Sequence, residues 1–216
     1  GYKKQFWPLE FITGVENPWW VVNRQLFENT ASRYTFNATL KWDIADWITL
    51  TGRVRTDNTV MNYTRKIYAS SDKLFASEYG NYQNNKIHHN NLYADALLSI
   101  NKSFFDDKFS LSFNLGASIL DDKNDGEGFE GHLATIANKF SVYNVDMSHS
   151  QTKPYADRYH DQTQAIYATA QLGYNGMVYL DVTARNEWAS QLAFTPHMNI
   201  FYPSVGLSAV ISPMAD

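Results

Sequence analysis

The 216-residue chain has no cysteine and a net charge of only −4, which excludes a disulfide framework, a thiolate metal site and a cysteine nucleophile. Its basic residues are scattered, so it lacks the electrostatic footprint of a nucleic-acid binder, and no apolar run approaches the roughly 20 residues of a membrane helix. Apolar residues make up 44% and aromatics 15%, yet mean hydropathy is −0.41. An aromatic-rich chain that is polar on average suits two all-β architectures. One is a soluble β-sandwich rich in tyrosine; the other is a barrel wall, which needs apolar side chains only at alternate positions.

Taken in order, the chain starts with Gly1-Tyr2-Lys3-Lys4 and then aromatic, polar and proline-containing sequence. No signal peptide precedes it, and the expectation is an internal piece of a longer protein. Residues 1–30 carry Trp7-Pro8, Gly14 and Asn17-Pro18-Trp19-Trp20 without a steady period. They read as an irregular loop that ends in a short helix around Val21 to Phe27. From Tyr34 the pattern becomes strict. Tyr34, Phe36, Ala38, Leu40 and Trp42 alternate with Thr35, Asn37, Thr39 and Lys41, which predicts a strand with one apolar and one wet face.

A tight turn at Asp43 to Asp46 leads to a second strand, where Ile48, Leu50, Gly52 and Val54 alternate with Thr49, Thr51, Arg53 and Arg55. Residues 58–88 are rich in Asn, Tyr and Ser and read as a long loop. A third strand is expected from about Asn90, with Leu92, Ala94, Ala96, Leu98 and Ile100 on one face. After a short turn at Phe104 to Lys108 the fourth strand alternates Phe109, Leu111, Phe113, Leu115, Ala117 and Ile119 with small polar residues. A second long loop is expected over 121–158.

The strongest local signal is a hairpin from Ile166 to Glu187 folded at Asn175-Gly176, since a type I′ turn needs positive φ at both central residues. Each arm alternates for about nine residues, longer than the usual five or six. Tilted near 45°, nine to eleven residues cross the hydrocarbon of a bilayer. A shorter loop from Trp188 to Asn199 precedes a seventh strand, on which Phe201, Val205, Leu207, Ala209 and Ile211 share a face. The closing Ser212-Pro213-Met214-Ala215-Asp216 reads as the start of another turn.

Connections thus alternate between tight and long, as they do between the periplasmic and extracellular ends of transmembrane barrels, whereas a sandwich would mix lengths at both ends. Trp42, Trp47, Phe104, Phe105, Phe109 and Tyr174 near the tight turns then form one aromatic girdle, and Tyr34, Tyr159, Trp188 and Phe201 the other. The predicted fold is all-β: an antiparallel, up-and-down transmembrane β-barrel segment of about seven long strands. Residues 1–216 would be part of one barrel domain, with no plug domain among them. Seven strands do not close a bacterial barrel, so the expectation is a slice of a larger one. The alternative is a soluble β-sandwich that binds carbohydrate.

Several stretches resemble the SusC/RagA family of TonB-linked outer-membrane transporters. They include Asn17-Pro18-Trp19-Trp20-Val21-Val22-Asn23, Trp47-Ile48-Thr49-Leu50-Thr51-Gly52-Arg53 and Ala170-Gln171-Leu172-Gly173-Tyr174. The most specific are the run from Tyr179 through Asn186-Glu187-Trp188 to Ser190 and Phe201-Tyr202-Pro203-Ser204-Val205-Gly206-Leu207-Ser208. The resemblance implies a Gram-negative outer membrane, a 22-stranded barrel with a plug, and import of glycans or oligopeptides. It also implies a SusD-like surface lipoprotein as partner and energy from the TonB complex, which would act through parts of the full chain outside this sequence. No cofactor and no enzymatic activity are implied.

The candidate site residues are Arg53, Arg55, Asp181, Arg185 and Glu187, charges at alternate positions on strands whose other face is apolar, and hence facing a lumen or plug. A salt-bridge ladder between wall and plug accounts for them as well as direct substrate contact does. Trp7, Trp19 and Trp20 would stack on sugar rings or pack against a lid protein. The run Asp121 to Glu127 has the look of a calcium loop, but Lys123 and His132 stand where ligands belong, so a solvated acidic loop is expected. His88 and His89, adjacent on a strand, point to opposite faces and do not chelate together. Ser150, His160 and Asp161 offer the residue types of a triad without a motif that fixes them.

Overall fold

In a computed structural model of the chain, the described residues are 5–6, 15–69, 71–72 and 76–211. A short helix α1 (Pro18–Arg24) opens them, capped by the Asn17 side chain, which accepts from the Trp19 amide at 3.0 Å, with Pro18 in its first turn. Seven strands follow: β1 (Gln25–Ala45), β2 (Ile48–Tyr68), β3 (Gly80–Phe104), β4 (Phe109–His132), β5 (Lys153–Tyr174), β6 (Val178–Ala189) and β7 (Asn199–Ala209). They form one sheet in the order of the chain, with the printed β5–β6 and β6–β7 pairs antiparallel. That is the up-and-down arrangement expected. The helix lies one turn earlier than the expected Val21 to Phe27, because Asn17-Pro18 provides the start signal and Gln25 already belongs to β1.

The register confirms the alternation. Across β5 and β6, Ala168 faces Ala184, Ala170 faces Val182 and Leu172 faces Leu180, while Tyr167 faces Arg185, Thr169 faces Thr183 and Gln171 faces Asp181. Across β6 and β7 the apolar set continues with Val182 opposite Val205 and Leu180 opposite Leu207. The turn between β5 and β6 has φ of 48° at Asn175 and 65° at Gly176, the left-handed pair that the Asn-Gly sequence favours. Side-chain hydrogen bonds carry the polar face through the earlier strands: Thr35 to Asp57, Ser99 to Asn114, Ser112 to Asn101 and Asn114 to Thr169. On the opposite face the Phe109 and Tyr174 rings meet at 5.0 Å.

Two expected loops turn out to be largely strand. Residues 58–68 and 80–89 extend β2 and β3, and residues 121–132 and 153–158 extend β4 and β5. The remaining connections at this end, 69–79, 133–152 and 190–198, are still longer than the tight turns at 46–47, 105–108 and 175–177. The physical reason is that the extensions carry polar residues on both faces. Where water wets both sides of a sheet, hydrogen bonding still holds the strands, but no period of two in hydrophobicity marks them.

By its internal contacts the chain divides into two compact units. The first, residues 1–33, 58–89 and 124–159, buries Ile67, Ala76, Leu133 and Val145. An aromatic cluster joins this core, with Tyr82 against Phe129 at 5.4 Å and Tyr68 against Phe140 at 5.0 Å. Its longest connection is tied by Asn144. That side chain accepts from the Thr135 and Ile136 amides and the Thr135 hydroxyl, and donates to the Ile136 and Lys139 carbonyls. The second unit, residues 34–57, 90–123 and 160–216, inverts ordinary burial. Leu115, Ile166 and Leu180 are 43%, 52% and 39% exposed although they sit on inner strands, while the side chain of Asp95 is fully buried. No second sheet among the described residues covers the apolar face, so the sandwich alternative does not hold.

Three glycines sit beneath tyrosines of the next strand. A methyl group at Gly116 would strike the Tyr167 ring, one at Gly173 the Tyr179 ring, and one at Gly126 the Tyr155 ring. Aromatic cover of a strand glycine restores the packing that a missing side chain forfeits.

Because one buried amide side chain holds the 133–145 segment, Asn144→Ala should destabilise it locally by about 2 to 3 kcal/mol through the lost bonds and the backbone groups left bare. Limited trypsin digestion should then cut after Lys139 faster than in the wild type. Unchanged cleavage would show that the clamp does not hold the segment.

Candidate functional site

The polar face of the second unit is the part of the molecule where charge, aromatic rings and hydroxyls converge. Arg53 stands between Gly52 and Val54 on β2 and, by alternation, points away from the apolar side. Its guanidinium grips Asp95 of β3 with two nitrogens, Nε at 2.9 Å and Nη2 at 2.5 Å from the carboxylate. The acid is fully buried whereas the Arg53 side chain is 48% exposed. A paired, bidentate guanidinium is what makes a carboxylate tolerable in that position.

Tyr167 lies beside this pair, in the field of Asp95, Arg53 and Arg185. The Arg185 guanidinium is 5.8 Å from the Tyr167 ring centre and is pinned by Glu187 at 2.8 Å on its own strand. Tyr202 of β7 pairs with Arg185. Between β5, β6 and β7 these rings border a pocket of about 320 Å³ that also takes in Thr169, Thr183 and Ser204. One guanidinium surrounded by five hydroxyl groups is a set of hydrogen-bond donors. Its chemistry suits carbonyl, carboxylate or sugar oxygens and provides no nucleophile–base pair.

All five charges singled out from the sequence lie on this polar face, but they form pairs rather than a continuous ladder. Arg53 binds Asp95, Arg185 binds Glu187, Arg55 reaches Asp57 at 3.7 Å, and Asp181 accepts from Gln171 at 2.8 Å. Asp95 and Tyr202 were missed, though Asp95 stands between two alanines of the apolar set and so had to face Arg53's side of the sheet. Of the tryptophans, Trp19 is 62% exposed. Trp20 has Arg24 over its ring at 5.5 Å and reaches Ser71 at 3.5 Å. Trp7 lies outside the described residues, as do Ser212 to Asp216.

The run Asp121 to Glu127 is strand, not a solvated loop, because its acids have partners across the sheet. Asp121 meets His160 at 2.7 Å and Lys123 at 3.2 Å, and Asp125 meets Arg158 at 2.6 Å. His160 therefore bonds Asp121 and not Asp161, whose carboxylate binds Gln191 instead. Among the described residues no group of three or more His, Asp or Glu side chains is placed to hold a metal ion.

The unequal burial of the Arg53–Asp95 pair yields an asymmetric prediction. Arg53→Ala leaves a buried carboxylate alone and should cost about 3 to 5 kcal/mol. Asp95→Ala leaves a half-exposed guanidinium that water can take over, so its cost should be smaller, about 1 to 2 kcal/mol. Thermal unfolding in detergent compares the two, and equal losses would contradict the burial argument.

No protein-family model matches the chain, and no curated protein does either. Solved structures do. The chain is similar to the RagAB peptide transporter with a TM-score of 0.81 at 14% identity, covering 94% of this chain and 23% of that one. It is similar to the RagAB peptide importer in its 'open-open' state (TM-score 0.81) and its 'closed-closed' state (TM-score 0.77), each at 14% identity over 95% of this chain and 23% of that chain. The chain thus spans 23% of the length of these matches. At such identity the likeness speaks for fold, and the fold is that of an up-and-down antiparallel segment in the barrel of this kind of TonB-dependent transporter, as the resemblance to the SusC/RagA family implied.

Proposed function

We propose that the chain is a segment of the barrel wall of a SusC/RagA-type TonB-dependent importer in a bacterial outer membrane. The observation that carries this reading is the reversed burial of the second unit. Its large apolar side chains stand exposed on one face of inner strands, while the charged and hydroxylated ones gather on the other. In water such a face would drive aggregation; in hydrocarbon it is the solvent-facing surface. The one-sheet, up-and-down topology and the likeness to the RagAB structures support the same reading.

On this reading the whole of residues 1–216 belongs to one barrel domain. Arg53, Arg55, Asp181, Arg185 and Glu187 face the lumen or a plug, where paired charges position neighbouring groups and the Tyr167–Arg185–Tyr202 pocket offers donors to a passing ligand. The imported substrate is an oligopeptide or glycan, whose carbonyl or hydroxyl oxygens match those donors. The polar extensions of β2 to β5 and their connections stand beyond the lipid on the extracellular side, since strands of 21 to 25 residues run to about 70–80 Å, far more than one crossing needs. There the exposed Trp19, with Trp20, contacts substrate or a SusD-like surface lipoprotein. Energy comes from the TonB complex through parts of the full chain outside this sequence. The segment transports without covalent chemistry.

The face assignment is directly testable. Leu180→Arg puts a charge into lipid and should cost about 2 to 4 kcal/mol near the midplane, blocking assembly of the full-length protein. Thr183→Arg on the polar face should assemble nearly normally. Heat-modifiable mobility of outer-membrane fractions reports both, and indistinguishable behaviour of the two variants would refute the reading.

A further inference from the structure

The apolar face of the second unit is not uniformly bulky. A hollow of about 860 Å³ runs over it, floored by Ala38, Gly52, Ala94, Ala96 and Ala117. Leu40, Val54, Ile119 and Ile166 stand along its sides and Trp188 at its end. These residues belong to the face that carries the lipid-exposed set on every strand, so the hollow opens outward and away from the polar pocket. Gly52 makes the point sharply. Its φ is not in the left-handed region, and a methyl group built on it would meet nothing within 4 Å. Neither backbone conformation nor close packing calls for a glycine there; what its small size provides is depth in the surface.

Beyond Ile119 and Ile166 the same face changes character within one pair of residues. Gln164 donates to Gln162 at 2.9 Å, and Gln162 donates to Asp121 at 3.1 Å. Asp121 also joins His160 and Lys123, both of which are 54% exposed. Two basic groups thus surround one carboxylate at the polar margin of the hollow, and Lys123 is four residues, about 13 Å of strand, from Ile119. Trp188 faces Gln164 across β5 and β6, an aromatic ring where apolar and polar surfaces meet.

We infer that the hollow is a lipid site: it seats an acyl chain of a phosphorylated lipid of the outer leaflet, whose phosphate lies against Lys123 and His160. This rests on the membrane-wall reading above. The shape favours a chain over a protein partner, because the hollow is about one side chain deep, whereas a helix is about 10 Å across. The charge at its margin favours a phosphorylated head over a zwitterionic one.

The test uses the full-length protein in nanodiscs made from equal parts of phosphorylated lipid A and phosphatidylcholine, with retained lipid counted by native mass spectrometry. The wild type should keep lipid A in preference to phosphatidylcholine. Gly52→Leu, which fills the hollow without striking the wall, should reduce lipid A retention at least five-fold. Lys123→Gln with His160→Gln should abolish the preference while leaving a retained chain. Thr183→Val on the polar face should change nothing. Unselective retention by the wild type, retention unaffected by Gly52→Leu, or replacement of lipid by a second copy of the protein would overturn the proposal while leaving the membrane reading intact. Failure of the wild type to insert at all would overturn both.

Discussion

The structure depends on one constraint of strand geometry: neighbouring side chains on a strand must point to opposite faces of the sheet. In the second unit this separates two solvents. Leucine, valine and isoleucine stay together on one side across β5, β6 and β7 because the register pairs like with like, and a slip of one residue would exchange every side chain's environment. The Asn175-Gly176 turn sets that register for the central hairpin, since its left-handed pair of residues matches the twist of the flanking strands. The buried Asp95 follows from the same rule. With no apolar interior on that side to receive it, a carboxylate can be enclosed as long as a guanidinium from the next strand closes over it.

Much of this was legible in the residues. The hairpin from Ile166 to Glu187 has the turn and the face assignment read from alternation, and the tight turns at Asp46-Trp47 and after Phe104 fall where charged and aromatic residues break the pattern. What alternation did not reveal was the continuation of β2 through Tyr68 and of β4 through His132. There, asparagine, tyrosine and acidic residues occupy both faces, so hydrogen bonding and cross-strand ion pairs sustain the strand with no hydrophobic period. Arg158 with Asp125 and His160 with Asp121 are examples, and each partner lies more than 30 positions away along the chain. Such pairings are visible only once the strands are placed.

The candidate site divides in the same way. Arg53 and Arg185 were recognisable as charges on the wet faces of otherwise greasy strands. Their partners differ in kind: Glu187 is two residues along the same strand, a local relation, whereas Asp95 comes from β3. The pocket of Tyr167, Arg185 and Tyr202 is assembled from three strands and has no linear motif. The two units also hold themselves together differently. The first has a small conventional core around Ile67 and Leu133 and a connection knotted by Asn144; the second relies on backbone pairing and on what bathes its apolar side.

The tyrosines that cover Gly116, Gly126 and Gly173 bear on how the polar face would meet anything that slides along it. Each ring lies down over the neighbouring strand instead of standing up from its own. Bulky aromatic groups therefore tile the surface at low relief, and their edges and hydroxyls form a pavement instead of a row of posts. A cargo or plug passing across it would find few obstacles to ride over, and would exchange one weak hydrogen bond for the next.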